Sequence, residues 1–544
     1  MGRVRNRAAD GGGGESLCFD FVVIGAGAAG CLLADRLSAS GKHSVALVEA
    51  GGKDRHPAIH VPAMVGWLIG HPRLDWGYST EPQVHANGRR IPLPRGRVLG
   101  GCTSTNGMVY FRGHPADYDE WRELGCQGWG YGDVLPYFKR SEGNADFAGE
   151  GHGREGQVRV SSYARTNPLT RRFVSAAREL GFGEIDDFNT GSPEGFGIRQ
   201  AMIRDGRRES AATAFLAGAA KRSNLAVLTG CVVQKVLTES GKANGVALLR
   251  ERRSQIVAAR VGVILAAGTF GSPAILERSG IGDSHRLLSL GVEPIQHAPE
   301  VGKNLQDHIV APVQMLTQSA ESYVVDWRVL PRLAANCAEY LMVRRGPLAS
   351  NVFEATGFVR SRLASDRPDI QLIFMPMHRA PSPLPRKRGF GALVTLLRPQ
   401  SRGSVHIAAA APDVPPRIDP AFLSDPADMP PLIEGVRLTR RLFASSAFAD
   451  LAAHECLPGS RHSRDEAIAE AIRDSCVTVH HPVGTCRMGS DRSSVTDPAL
   501  RVRGIDRLWI ADASIMPRLI GGNTAAAVYM IAEKASDMIL DASR

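Results

Sequence analysis

Apolar positions along the chain follow two different periods. Residues 21–24 (FVVI) form a short continuous apolar run, the pattern of a strand buried on both faces. The run leads directly into Gly25-Ala26-Gly27-Ala28-Ala29-Gly30. Beyond it, Cys31, Leu32, Leu33 and Leu37, with neighbouring alanines, give one apolar face at helical spacing. A second strand is predicted over residues 44–48 and ends at Glu49. Residues 20–52 thus read strand, glycine turn, helix, strand, acid, the order of a dinucleotide-binding unit.

Each part of that unit has a physical task. Gly25 permits a sharp turn out of the strand, Gly27 leaves the backbone open to a pyrophosphate, and Gly30 lets the helix lie close to the sheet. The helix N-terminus offers unpaired N–H groups and partial positive charge to phosphates. Glu49, nineteen residues after Gly30, is placed to accept hydrogen bonds from a ribose diol. A glycine turn that only packs a helix on a sheet is the plainer alternative. The motif by itself does not separate FAD from NAD.

Further along, residues 56–90 are loop-rich with little periodicity and are expected to wrap a nucleotide. Paired glycines followed by small hydroxyl residues, from Gly96 to Tyr110, make a backbone-exposing turn suited to a flat ligand or a phosphate. Residues 140–161 are turn-rich. Strands are predicted over 225–237, 245–249 and 260–267, the last leading to a turn at Gly268. From 309 to about 475 the composition changes: 370–375, 393–397 and 404–408 are strand-like, and helices are predicted near 329–343 and 431–443. Phe353, Phe374, Met375 and Met377 lie here; each is read as core in preference to pocket lining. Residues 507–513 (RLWIADA) are another strand ending at an acid.

Composition narrows the class. The 544 residues suffice for two or three domains, and 43% hydrophobic with 22% charged residues is ordinary for a globular protein. The net charge of +10 is spread along the chain, for example at residues 3–7, 250–253 and 501–507. No basic stripe interleaves with aromatics, so nucleic acid is not an expected partner. The excess does suit contact with an anionic membrane surface, and peripheral association is kept as an expectation. Nine scattered cysteines without a CxxC pair argue for reduced thiols, a cytoplasmic setting and no metal site. Residues 1–18 are basic and glycine-rich without an apolar core, and are read as a flexible tail.

Several of these stretches together resemble the glucose–methanol–choline oxidoreductases. The run GGCTSTNGMVYFRGHPADYDEW from Gly100 is similar to that family's first signature, and Gly268-Thr269-Phe270-Gly271-Ser272-Pro273 through Gly282 to its second. Val301 to His308 (VGKNLQDH) matches a third recurrent string, and Ser350-Asn351-Val352-Phe353-Glu354 also resembles the family. The resemblance runs from about residue 19 to 538. It implies an α/β fold (α+β overall): a Rossmann-like FAD-binding domain over 19–309 and a substrate domain over 310–475, with an antiparallel sheet and helices on its outer face. A C-terminal return over 476–538 brings back the catalytic residues, within a family module of about 395–536. It also implies FAD, not NAD. Contacts to FAD are then expected from Gly25, Gly27, Gly30, Glu49 and Ala50. Others are expected from Arg97, Gly100, Gly101, Asn106, Gly107, Met108 and Val109, and from Val233, Asp512, Ala513, Asn523 and Thr524. Val233 would meet the adenine, and Asp512 and Ala513 the ribityl and phosphate region, unless Asp512 simply caps the following turn.

Residues 479–489 (VHHPVGTCRMG) resemble the family's active-site string, in which the histidine before the proline is the base. That residue is His481; its neighbour His480 is the competing choice. Asn523 falls where the family keeps a second histidine or asparagine. The residue types suit alcohol oxidation: a neutral imidazole takes the hydroxyl proton, flavin N5 takes the hydride, and an amide orients the alcohol oxygen. His308 is read as a structural hydrogen-bonding histidine. Some relatives tether flavin through a histidine where Thr105 stands, so FAD is expected to be non-covalent. Ala525 and Ala527 replace a common Asn and Pro, which leaves substrate preference open. The expected reaction is oxidation of a primary alcohol or polyol to aldehyde or ketone, with oxygen or a quinone-type carrier as acceptor. A hydroxynitrile-lyase-type enzyme with a structural FAD is the alternative.

Overall fold

The computed structural model describes residues 17–364, 366–379 and 385–543. The apolar run at 21–24 lies in a strand, Leu17–Ile24, whose last four residues are at most 3% exposed. It is buried because it sits between two parallel neighbours: Phe21 registers with Val45 on one side and with Gly262 on the other. Among the described residues this sheet has seven strands. Leu225–Thr229, Val45–Glu49, Leu17–Ile24 and Arg253–Leu265 run parallel, and the long Arg253–Leu265 continues into antiparallel Lys242–Arg250 and Cys231–Glu239. The seventh strand, Leu508–Ile510, comes from near the C-terminus and pairs in parallel with residues 263–265. Parallel strands covered on both faces explain the near-continuous apolar runs.

Helix Ala28–Ser38 packs against this sheet and against the closing helix Ala525–Ala542. Glu533 on the closing helix is fully buried, and Arg36 and Arg140 each approach its carboxylate at 2.6 Å. A buried carboxylate requires such pairing.

A second seven-stranded sheet is antiparallel. Its main path runs His454–Leu457, Ile309–Leu316, Gly389–Leu396, Ile370–Met375, Ala355–Val359, Gly195–Ile198. Helices Pro168–Glu179 and Met429–Phe443 cover one face, where Phe173, Phe374, Phe390 and Phe443 join one core. Strand alternation sends Phe374 into that core and its neighbours Ile373 and Met375 to the opposite face. Strand Gly195–Ile198, which pairs with Ala355–Val359, and helix Pro168–Glu179, which packs on Met429–Phe443, come from well before residue 310.

The structure corrects some expectations. Leu17 and Cys18 pair with Val257 and Ala258 and belong to the first strand, not to a tail; residues 1–16 lie outside the described residues. The strand near 404–408 is Ser404–His406, and it pairs only with Arg417–Asp419 in a separate ribbon. Among the described residues, no helix is long and apolar enough to cross a membrane.

Candidate active site

A cavity of about 2450 Å³ opens between the glycine turns of the first sheet and the uncovered face of the second. At one end, two glycine loops meet back to back. A side chain on Gly101 would put its Cβ 2.7 Å from Gly27 Cα, and one on Gly30 would put it 1.8 Å from Gly25 O. Gly30 therefore permits the close approach of helix to strand, and Gly101 the contact between loops. Gly100 N donates to Ala26 O (2.8 Å) and completes the joint. The helix N-terminus and the backbone at Gly27 face open space, since a Cβ at Gly27 would meet nothing within 4 Å.

Glu49 ties this end together. Its Oε2 accepts from Ala26 N and its Oε1 from Gly51 N, both at 2.8 Å. Burial pushes its carboxyl above the usual range, against the lowering effect of those two amides. Glu49 and Ala50 line the cavity, as do Gly25, Gly27, Arg97, Gly101, Asn106, Gly107, Met108, Val109, Val233, Asp512, Ala513, Asn523 and Thr524. Gly30 and Gly100 are the two expected cofactor contacts that do not; both lie behind the loops they shape. Arg97 stacks its guanidinium over Trp76 at 4.7 Å.

The loop from Thr103 to Val109 is held from behind by two residues that sequence spacing did not single out as functional. Buried Arg208 donates to Thr103 O (3.1 Å), Asn106 O (2.6 Å) and Asn106 Oδ1 (3.0 Å). Asn351 Nδ2 donates to Gly107 O (2.5 Å). Asn351 stood in a stretch noted for its resemblance, but its partner lies 244 positions away. Asp512 accepts from Gly268 N (2.8 Å), Ser272 Oγ (2.6 Å) and Ser514 N (2.8 Å), so it caps the turn after it and also faces the cavity.

At the other end stand the two residues expected to carry chemistry. Asn523 Nδ2 lies 3.1 Å from His481 Nε2, and His481 Nδ1 lies 3.0 Å from His308 Nδ1. The chain of contacts is self-consistent with one tautomer. If His481 donates from Nδ1 to His308, its Nε2 keeps a lone pair facing Asn523 and the cavity. Asp307 sets the backbone here: its Oδ1 accepts from His308 N and His481 N, both at 2.8 Å, and its Oδ2 from Thr478 Oγ1 at 2.6 Å. Burial raises Asp307 to about 6 despite these bonds. His308 is thus a hydrogen-bonding histidine whose partner is His481 itself.

Burial, aided by His308, His480, Arg95 and Arg199, holds His481 well below the ordinary imidazole range. Burial lowers His308 to about 3, and burial with Arg95 and Arg379 lowers His480. All three rings are therefore neutral near pH 7. His480 sits at φ +67° with its carbonyl accepting from Arg95 at 2.8 Å; no protein group bonds its Nδ1. Asn523 Oδ1 and His308 Nε2 are likewise buried without a protein partner. Phe353, Met375 and Met377 line the cavity; Phe374 and Met375 are both core, in separate clusters, and Phe353 and Met377 pack against the cluster of Met375 while also facing the cavity.

A glycine turn open to a nucleotide thus lies at one end of a large cavity, and a neutral imidazole–amide pair at the other, in a mixed α/β fold. The chain belongs to the GMC oxidoreductase family: the family's N-terminal model matches residues 19–310 and its C-terminal model residues 399–532. It is 41% identical over 525 residues to an oxygen-dependent choline dehydrogenase of Rhizobium johnstonii, covering 96% of this chain and 95% of that one. It is 39% identical over 527 residues to an alcohol dehydrogenase [acceptor] of Pseudomonas putida, covering 96% of both. Among solved structures, pyridoxine 4-oxidase from Mesorbium loti superposes with a TM-score of 0.85 at 32% identity, over 95% of this chain and 98% of that one. An FAD-containing formate oxidase of Aspergillus oryzae superposes with a TM-score of 0.90 at 27% identity, over 98% and 99%.

Proposed function

We propose that the protein is an FAD-dependent enzyme that oxidises the CH–OH group of a primary alcohol or polyol, with His481 as proton acceptor and Asn523 as orienting group. The observation that carries this reading is the 3.1 Å contact between His481 Nε2 and Asn523 Nδ2 on the wall of the cavity that the glycine turns also line. The residues present fit FAD: open backbone at Gly27, a helix N-terminus for the pyrophosphate and Glu49 for the ribose. Thr105 on the cavity wall has no imidazole to form a tether, so the cofactor is held without a covalent bond. Flavin supplies a hydride acceptor when bound.

The protein's own part is proton handling and placement. A substrate hydroxyl entering between His481 and Asn523 gives its proton to Nε2, while Nδ2 donates to the same oxygen. His308 accepts from His481 Nδ1 and keeps Nε2 in its unprotonated form before reaction. The acceptor that reoxidises the cofactor is oxygen or a quinone-type carrier; the relatives include both an oxygen-dependent choline dehydrogenase and an alcohol dehydrogenase with an unspecified acceptor. The test is an anaerobic screen of alcohols that follows flavin absorbance, followed by admission of oxygen. Bleaching by an alcohol supports the reading, and the rate of recolouring separates oxidase from dehydrogenase. A flavoprotein that no alcohol or polyol bleaches would refute it.

A further inference from the structure

Arg199 has no role in the mechanism above, yet it is buried beside the reacting end of the cavity. It follows strand Gly195–Ile198, is only 4% exposed, and shares a small cleft with Asn523 and Phe111 as well as lining the main cavity. Its Nε donates to Phe353 O (2.6 Å), but Nη1 is buried and bonds no group among the described residues. Burial lowers the guanidinium to about 10, so it is still charged at neutral pH.

Among the described residues, no carboxylate balances that charge. Glu354, whose backbone carbonyl accepts from Arg199 N (3.0 Å), has its oxygens engaged by Ser350, Thr170 and Asn167. The neighbouring Tyr163 hydroxyl donates to Asn351 (2.8 Å), and burial keeps it protonated. Among the described residues only four acids line the cavity, against eleven arginines. Glu49, Asp75 and Asp512 each accept from two or more backbone amides, and Asp413 is exposed. Arg95, Arg379, His378 and His480 add donors to the same region. A buried cation with a free N–H and no counter-charge is costly unless a ligand supplies one.

We propose that Arg199 anchors a carboxylate carried by the substrate, so that the enzyme acts on hydroxy-carboxylates and disfavours alcohols bearing a quaternary ammonium. The alcohol end lies at His481 and Asn523, and the anionic end meets Nη1 of Arg199. This rests on the alcohol-oxidation reading but is separable from it, because anion binding needs no turnover.

The holoenzyme is tested with ω-hydroxyalkanoates of increasing length, with neutral primary alcohols of matching length and with choline. One hydroxyalkanoate is expected to reduce the flavin anaerobically with a kcat/KM at least tenfold above its neutral counterpart, and choline is expected to fall below that counterpart. Alkanoates lacking the hydroxyl are expected to perturb the flavin spectrum of the wild type and to bind at least tenfold more weakly to R199Q, with R199K intermediate. R199Q should lose at least tenfold more kcat/KM for the hydroxyalkanoate than for the neutral alcohol. Choline as the preferred substrate, or equal alkanoate binding by wild type and R199Q, overturns the proposal. If R199Q does not retain flavin, the wild-type ranking of choline against the hydroxyalkanoate decides. If alkanoates bind through Arg199 but no alcohol bleaches the flavin, it is the oxidation reading that fails.

Discussion

The two ends of the cavity are built in opposite ways. The glycine-loop end is a surface of backbone: Gly27 and Gly101 touch, Gly30 admits a helix, and Glu49 staples the turn through two amides. The histidine end is a surface of side chains: His308, His481 and Asn523 come from three separate segments and bond in series. Backbone surfaces tolerate few residue types but many neighbours. Side-chain surfaces depend on particular atoms whose protonation is set by burial. Damage to the first should therefore appear as lost cofactor, and damage to the second as lost rate with cofactor kept.

The largest expected effect is at His481. His481→Ala should slow anaerobic flavin reduction by about 10²–10⁴-fold while FAD remains bound, the usual worth of a positioned general base. A rate within twofold of wild type, measured by stopped flow, would remove the proposed role. Gly101→Ala should act at the other end. It places a Cβ 2.7 Å from Gly27 Cα at φ +53° and should cost about 1–3 kcal/mol, read as a weaker Kd for FAD in apoprotein titration. If it lowered the rate and left FAD affinity unchanged, the division between the two ends would be wrong.

A smaller effect is expected at His308. His308→Gln should lower flavin reduction by about tenfold, the scale of one lost hydrogen bond to a buried ring, with FAD content unchanged. Its stability effect has a defined pH sign. Burial lowers folded His308 to about 3, whereas an unfolded imidazole has its ordinary value of ~6.5. Between those values the unfolded state binds the extra proton, so this residue destabilises the wild type as pH falls. The stability gap between wild type and His308→Gln should narrow from pH 6.5 downward in urea titrations; a gap that widened would contradict the buried neutral ring. The smallest effect is on rate against pH. Because His481 is held well below the ordinary range, flavin reduction should change less than about twofold between pH 8 and 6, where a base at ~6.5 would lose about fourfold.

The same contrast explains what the sequence could show. The backbone end was legible because its determinants are local: strand, glycines, helix and acid fall within residues 20–52 in an order that has one purpose. His481 and Asn523 were found through resemblance of their surrounding strings, not from physical necessity. Asp307, Arg208 and Arg199 were not found, since each bonds a partner about a hundred or more positions away, and no spacing rule connects them. The fate of Phe374 against Met375 was open for a simpler reason. In a sheet covered by helices on one side and walling a cavity on the other, both faces are apolar, so alternation of polarity vanishes.

One feature of the first sheet bears on how the chain is made. Leu508–Ile510 enters beside residues 263–265, and Glu533 receives Arg36 and Arg140. The amino-terminal nucleotide fold therefore keeps an empty strand position until residues 508–510 have been made. A chain interrupted before residue 508 would yield not a weaker enzyme but an open-edged sheet prone to sticking to its own kind.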